Sequence, residues 1–442
     1  MNRRTRHSNP WKLILLVLLV GAAVYVNQVI VPVTPPIGIP TPTPTRSPES
    51  FVTDAQNLAA QGKYVQAIQS YQSAIEADPK NITNFVEEAR LQIYSGDYAG
   101  AKTNAENAIL LNQNNSMAHA LLGWDMSFTG DYLNAEAEIN QAIQLDQNNA
   151  SAYAYLAETI ADETNAGQGG LGSLDKAITA SKTAVQLNKD SIDSHRARGI
   201  VLEITGNYQE ANSEFQAAVA INGNIPDLHL MLGQSYSLLL QDDKAIEEFN
   251  KANVLNPTDP NPLLYISQTY FKVGDYAKAV QYAMEAVKAS PEDPYMYGNL
   301  GTIYYRVPNY PDAISALRLA VRGGKASDGS DVKGLPFAPG NVTKYYYTYG
   351  LALARTGACG EALQISQVIQ QGASTDDVAT YNAQEMVNIC TQISEGTSTP
   401  QVDTGAGSGA GTGSTAVPPS GAATGSAPAK STPAAPAVAP TK

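Results

Sequence analysis

The sequence predicts an all-α protein built from stacked helical hairpins. Small residues recur with a period of 34 residues, and in five of the periods a glycine stands two residues before a tyrosine. Hydrophobic residues make up 43% of the chain, which is ample for a folded core. A fixed period of this length is typical of helical pairs that bury their apolar faces only against their neighbours. The periodic positions are Ala67, Ala101 and Ala135, then, after a longer interval, Ala177, Ala211, Ala245, Ala279 and Ala313.

Each repeat contains two predicted helices. Packing residues are spaced three or four apart, as in Ala211, Phe215 and Ala218, and this spacing places them on one helical face. Pro257 and Pro291 stand where repeats end, because proline cannot continue a helix. The pattern predicts about nine repeats over residues 48–376.

This pattern resembles the tetratricopeptide repeat family. The first helices carry the motif of a bulky residue, Leu, Gly and an aromatic, best seen in Tyr297, Leu300, Gly301 and Tyr304. The resemblance implies a right-handed superhelical solenoid of about nine hairpins, closed by a capping helix over residues 377–394. It also implies a non-enzymatic scaffold that binds a protein or an extended peptide.

The amino-terminal segment predicts a membrane anchor. Residues 1–12 form a basic flank with four Lys or Arg, and residues 13–31 are almost entirely apolar. About 20 residues are needed to cross a bilayer, and basic flanks stay in the cytoplasm. We therefore expect a single-pass signal-anchor over 13–31, with the repeats outside the cytoplasm in a bacterial cell envelope. A signal peptide cleaved after Gly21–Ala22–Ala23 is the alternative.

Four further segments lie around or within the repeats. Residues 32–47 are rich in Pro and Thr and predict an extended stalk. Residues 395–442 consist mainly of Gly, Ser, Thr, Ala and Pro, which predicts a disordered tail. Insertions interrupt the period near 165–172 and 323–342, and we expect Leu335 and Phe337 of the second insertion to pack back onto the array.

Charge and motifs argue against several classes of function. The net charge of −13 disfavours nucleic acid as a partner, because phosphate binding needs a basic surface. His119, His195 and His229 occupy the bulky opening place of their repeats, with no clustered acid or Cys beside them in the sequence. We expect them to pack between helices rather than to bind metal. No motif predicts a cofactor or a catalytic site.

Cys359 and Cys390 are the only cysteines. In an exported protein an even count favours a disulfide. A stacked array places the end of one first helix beside the turn of the preceding repeat, so these two residues are expected to meet. Two reduced, packed thiols are the alternative.

The family resemblance implies that inward-facing residues of the first helices line a concave groove. Aromatic and Arg side chains there suit a protein or peptide partner, and many binding hot spots are of these types. The alternative is a structural protein that binds cell-wall or capsule glycan, and packing between repeats is a further alternative for Trp124 and for many of the tyrosines. The predicted groove residues are Arg90, Tyr94, Met117, Trp124, Phe128, Tyr155, Arg196, Tyr265, Phe271, Tyr305 and Arg306.

Overall fold

A computed structural model describes residues 10–25, 28 and 46–401. Its contacts divide the chain into two units, Met1–Ser50 and Phe51–Lys442. In the first unit, α1 spans Pro10–Tyr25. Among the described residues no helix is long and apolar enough to cross a membrane. Most of the stalk, the tail beyond residue 401 and part of segment 13–31 lie outside the described residues.

The second unit holds the helical array, and the all-α solenoid predicted from the sequence is confirmed. Eighteen described helices form nine consecutive hairpins, and a final helix follows them. Hairpins 1–9 are named repeats 1–9 below. The helices are α2 (Pro48–Ala60), α3 (Tyr64–Ala77), α4 (Ile82–Ser95), α5 (Tyr98–Leu111), α6 (Ser116–Phe128), α7 (Tyr132–Leu145), α8 (Ala150–Asn165), α9 (Ser173–Leu187), α10 (Ile192–Ile204), α11 (Tyr208–Ile221), α12 (Pro226–Leu238), α13 (Asp242–Leu255), α14 (Asn261–Val273), α15 (Tyr276–Ala289), α16 (Pro294–Arg306), α17 (Tyr310–Arg322), α18 (Thr343–Arg355), α19 (Cys359–Gly372) and α20 (Asp377–Ser394).

Asparagine caps fix where several of the first helices begin. The Asn81 side chain accepts a hydrogen bond from the Thr83 N–H, and Asn115 caps α6 in the same way. These bonds satisfy backbone donors that have no partner within the helix. At the other end, Gly96 closes α4 with φ at 80°, a left-handed conformation that glycine adopts without steric cost.

The two helices of a repeat approach closely at glycine. A Cβ atom added to Gly123 would lie 2.6 Å from the carbonyl oxygen of Ala135, a backbone atom that cannot move aside alone. In repeat 5 a Cβ on Gly199 would lie 2.5 Å from the ring of Phe215. Ala211, four residues before Phe215, is fully buried. The small residues of the repeat pattern therefore exist because larger ones would separate the helices.

The two insertions are loops of different kinds. Residues 166–172 connect α8 to α9. Residues 323–342 contain two short antiparallel strands, β1 (Gly324–Lys325) and β2 (Asp331–Val332). The Leu335 N–H then donates to the carbonyl of Ala320 at 2.8 Å, and the Phe337 ring meets Tyr346 edge-on at 5.0 Å. This loop packs back onto the array, as its apolar residues indicated.

The helix α20 covers the exposed end of repeat 9. It buries Ala379, Ala383 and Met386 against the core of that repeat. Cys359, at the start of α19, and Cys390, near the end of α20, form a disulfide with their Cα atoms 5.5 Å apart. A covalent bond therefore fastens the closing helix to the array.

We predict that replacing both cysteines with serine lowers the free energy of unfolding of this end by about 3 kcal/mol, because the unfolded chain loses a closed loop. Thermal unfolding followed by circular dichroism measures the change. Dithiothreitol should destabilise the wild type to a similar extent and leave the double variant unaffected. Equal melting temperatures of wild type and variant under oxidising conditions would contradict the prediction.

Candidate functional site

Repeat 1 packs against repeats 5 and 6 as well as against repeat 2. The Asn224 side-chain amide, in the turn between α11 and α12, donates to the carbonyl of Ala60 at 2.9 Å. Ala55 and Tyr64 of repeat 1 share an apolar cluster with Leu228 of repeat 6. Because repeats 1–6 also stack in sequence, this contact brings repeat 1 against repeats 5 and 6 and closes the six repeats into one superhelical turn. We call the bond between Asn224 and Ala60 the closing contact.

Aromatic and charged side chains fill the interior of this turn. Trp124 and Tyr155 stack with their ring centroids 4.2 Å apart, and both are 0% exposed. The Arg196 guanidinium lies over the Trp124 ring at 4.6 Å, an arrangement that favours attraction between the cation and the ring. We define the interior cluster as Tyr94, Trp124, Tyr155, Glu158, Asp193 and Arg196.

Two carboxylates organise the hydrogen bonds of the interior cluster. Asp193 accepts from the hydroxyls of Tyr94 at 2.6 Å and Tyr155 at 2.9 Å. Glu158 accepts from the Trp124 indole N–H at 3.0 Å and from the Arg196 Nε–H at 3.0 Å. The two tyrosine hydroxyls, the indole N–H and the Arg196 Nε–H thus have acceptors within the cluster, and Arg196 Nη1 pairs with Asp227 outside it, so that these buried donors are satisfied.

The electrostatics of the cluster keep Asp193 ionised and the tyrosines neutral. Burial alone would raise the pKa of Asp193, but the nearby charges of Arg90 and Arg196 and the two tyrosine hydroxyls lower it below 3.8. Burial and the negative charge of Asp193 raise the pKa of both Tyr94 and Tyr155 well above 10. The cluster therefore consists of paired charges and neutral donors at physiological pH.

The structure divides the predicted groove residues into two groups. Those of repeats 2–5 lie in or around the closed turn, where Trp124, Tyr155 and Arg196 are buried. Met117 and Phe128 are partly buried against the core of repeats 2–4. Arg90 keeps a quarter of its side chain exposed and pairs with Glu87, and Tyr94 reaches into the interior cluster.

The second group lies on repeats 7 and 8. Tyr265, Phe271 and Tyr305 are partly buried, and Arg306 is exposed. The Tyr305 hydroxyl accepts a hydrogen bond from the Arg355 Nε–H of repeat 9 at 3.1 Å, which links adjacent first helices. That these side chains bind a partner stays a prediction.

Three histidines make contacts that the sequence analysis missed. Each ring lies between a glutamate of the second helix of its repeat and a backbone carbonyl before its own helix. The sequence did contain a signal, because each glutamate follows its histidine by 19 residues. The pairs are His119–Glu138 at 2.7 Å, His195–Glu214 at 2.6 Å and His229–Glu248 at 2.6 Å, and the carbonyls belong to Gln113, Lys189 and Gly223.

Within the described part of the chain, no three His, Cys, Asp or Glu side chains are grouped so that they could hold a metal ion. A cavity of about 560 Å³ adjoins His229, Lys251 and Val254, and another of about 460 Å³ lies between repeats 3 and 4. Lys251 already pairs with Glu247 and Glu248 beside the first cavity. The charged groups beside this cavity therefore form ion pairs with one another.

Two family models, each described as tetratricopeptide repeat, match residues 58–124 and 266–330. These segments include repeats 2 and 8, whose helical pairs are described above. The chain is a tetratricopeptide-repeat protein. A comparison with curated proteins gives no match.

Solved structures share the architecture of this tetratricopeptide array. The crystal structure of the APC/C hetero-tetramer Cut9–Hcn1 is 18% identical, with a TM-score of 0.52 over 61% of this chain and 52% of that chain. The chain thus spans about half the length of that relative, and the likeness shows the fold alone. PilF of Pseudomonas aeruginosa (19% identity, TM-score 0.39, 47% and 91% covered) and MamA (25%, 0.32, 38% and 94%) are also similar, but too weakly to carry an argument.

We predict that Trp124→Ala lowers the free energy of unfolding by about 3–5 kcal/mol, because the indole is fully buried and the variant leaves a cavity and removes one of the donors to Glu158. Urea unfolding measures the change. Tyr381→Ala is the matched control, since this tyrosine is 64% exposed and its loss should cost less than about 0.5 kcal/mol. A Trp124 variant as stable as the control would contradict burial of the indole.

Proposed function

We propose that this chain is a non-enzymatic scaffold, tethered to a membrane outside the cytoplasm, that binds a protein or an extended peptide in envelope assembly or secretion. The observation that carries the proposal is the array itself. Nine tetratricopeptide hairpins offer a long surface of first helices, and arrays of this kind typically act as interaction scaffolds. The geometry gathers aromatic and Arg side chains rather than a catalytic arrangement.

The partner surface lies on repeats 7–9. In repeats 1–6 the interior cluster already occupies the turn and satisfies its own hydrogen bonds. On α14 and α16, Tyr265, Phe271, Tyr305 and Arg306 keep part of their surface exposed. Tyr and Arg are among the residues that most often carry binding energy, because they bury a large area and retain polar groups.

The distribution of charge favours the same surface. Residues 48–260 contain 28 acidic and 11 basic residues, whereas residues 261–400 contain 12 acidic and 10 basic residues. The later repeats are therefore nearly neutral beside a strongly acidic first part. A neutral or mildly acidic partner meets less repulsion on repeats 7–9 than on repeats 1–6.

We predict that changing both Tyr305 and Arg306 to Ala weakens binding of a peptide selected from a random display library by tenfold or more, about 1.4 kcal/mol. Isothermal titration calorimetry gives the affinity of wild type and variant for the same peptide. Arg318→Ala, on the second helix of the same repeat, is the matched control for charge and should bind as the wild type does.

Two results would contradict this assignment. One is equal affinity of the double variant and the wild type. The other is a peptide whose affinity falls as much with Arg318→Ala as with the double variant. Such a result would show that only the positive charge of repeat 8 matters for binding. Retention of the chain by purified cell-wall polysaccharide, with no peptide selected, would favour the alternative of a glycan-binding structural protein.

Two features support the proposed location at a membrane and outside the cytoplasm. Residues 13–31 are apolar behind a basic flank, and apolar side chains of α1 are exposed, Leu16 to 63% and Leu18 to 68%. An exposed apolar helix of this kind needs a lipid or protein cover. The disulfide between Cys359 and Cys390 suits an oxidising compartment.

We predict that protease added to cells with a permeabilised outer barrier digests the repeats, while a tag at Met1 stays protected, because basic residues precede the apolar segment. Immunoblotting for the tag and for the repeats reports the two fates. Lysed cells, in which both epitopes should disappear, are the control. Protection of the repeats in unlysed cells would show that they lie in the cytoplasm.

A further inference from the structure

The three histidine–glutamate pairs are one device used three times. The glutamate always stands 19 residues after the histidine, and the carbonyl partner always stands 6 residues before it. Repeats without this histidine lack the glutamate as well. In place of the pair, repeats 1, 2, 4, 7 and 8 carry Phe51 with Ser70, Phe85 with Asn104, Tyr153 with Ala180, Leu263 with Tyr282 and Tyr297 with Ala316.

The bonds of His229 to Glu248 and to the Gly223 carbonyl are both made by a doubly protonated ring. A carboxylate and a backbone carbonyl are both acceptors, so an imidazole between them must donate from both nitrogens. A ring that donates from both nitrogens carries a positive charge. When it loses one proton, one of the two bonds loses its donor. Tyr297, whose hydroxyl donates to the carbonyl of Pro291 at 3.0 Å, holds the equivalent carbonyl with a group that stays neutral at physiological pH.

The pair in repeat 6 adjoins the closing contact. His229 Nε2 lies 2.9 Å from the carbonyl oxygen of Gly223, and the next residue, Asn224, holds Ala60 through its side chain. A backbone turn of three residues, 222–224, thus connects the histidine to the contact that closes the first superhelical turn. Gly62 faces the Asn224 backbone so closely that a Cβ there would clash, so the two turns are in direct contact.

We propose that protonated His229 holds the first superhelical turn closed, and that its deprotonation releases the Gly223–Asn224 turn and opens the interior cluster to solvent. The first superhelical turn is then closed at mildly acidic pH and open at alkaline pH, and protonation of His229 controls the change. The interior aromatic and Arg side chains become accessible only in the open state.

The surrounding charges give the direction of the effect. Burial alone would lower the pKa of His229, but its hydrogen bonds to Glu248 and to Gly223 outweigh burial and raise the pKa above 6.5. Lys251, on α13 with Glu248, opposes them weakly and is itself paired with Glu247. Because the folded pKa is raised, the stabilisation is complete below 6.5 and is lost as pH rises through the raised value. Glu248 has a lowered pKa, so the pair also weakens as pH falls below 4.5.

Trp124 provides the measurement, because it lies fully buried in the interior cluster. In the full chain, Trp11→Phe leaves Trp124 as the sole tryptophan. We expect acrylamide quenching of its fluorescence to rise about threefold between about pH 6 and about pH 8.5, as local opening exposes the indole. Unchanged quenching across this range would overturn the proposal.

Three variants in the Trp11→Phe background separate closure from general unfolding. His229→Tyr places at position 229 the residue that Tyr297 provides in repeat 8, and it should remove the pH dependence of quenching. His119→Tyr removes the equivalent pair of repeat 3, far from the closing contact, and this variant should keep the pH dependence. Asn224→Ala should give high quenching at both pH values. Circular dichroism must show the helical content of wild type in each. Equal loss of pH dependence in both histidine variants, or low quenching in Asn224→Ala, would overturn the proposal.

Discussion

The close approach of two helices within each repeat is the constraint on which the structure depends. At Gly123 there is no room for even one methyl group next to the carbonyl of Ala135. Where the partner helix offers an aromatic ring, as Phe215 does, the first helix offers Gly199. The regular spacing of small residues sets the crossing distance in every repeat. A stack of equal crossings then curves regularly, and this curvature brings repeat 1 round to repeat 6.

The contact between repeats 1 and 6 changes which residues of the concave surface can reach a ligand. An open tetratricopeptide groove presents its aromatic and charged residues to a ligand. In repeats 2–5 of this chain the same residue types bind one another, with Asp193 and Glu158 acting as the acceptors. A charged interior of this kind is stable because the charges of Asp193, Glu158 and Arg196 are paired and the tyrosine and indole donors are hydrogen-bonded. Repeats 7–9 do not share this closure and keep their inner residues partly exposed.

The sequence predicted local features well because they depend on neighbours in the chain. The period, the glycines at helix crossings and the contact of Cys359 with Cys390 all follow from the register of adjacent repeats. Burial of Trp124 could not be predicted in this way, because it depends on the accumulated curvature of several repeats, which no single repeat encodes. The histidine pairs lie between these cases. Their 19-residue spacing is visible in the sequence, but only the fold shows that the second helix brings each glutamate to its histidine.

The contact between Asn224 and Ala60 also sets how the array can change in length. A repeat gained or lost between repeats 1 and 6 would shift Asn224 away from Ala60, and the interior cluster would lose the wall that covers it. A repeat added after repeat 6 and before the capping helix would leave this contact in register. The number of repeats in the closed turn is therefore fixed at six, whereas the number of later repeats can vary. The chain combines a closed turn of fixed length with an arm that can be extended.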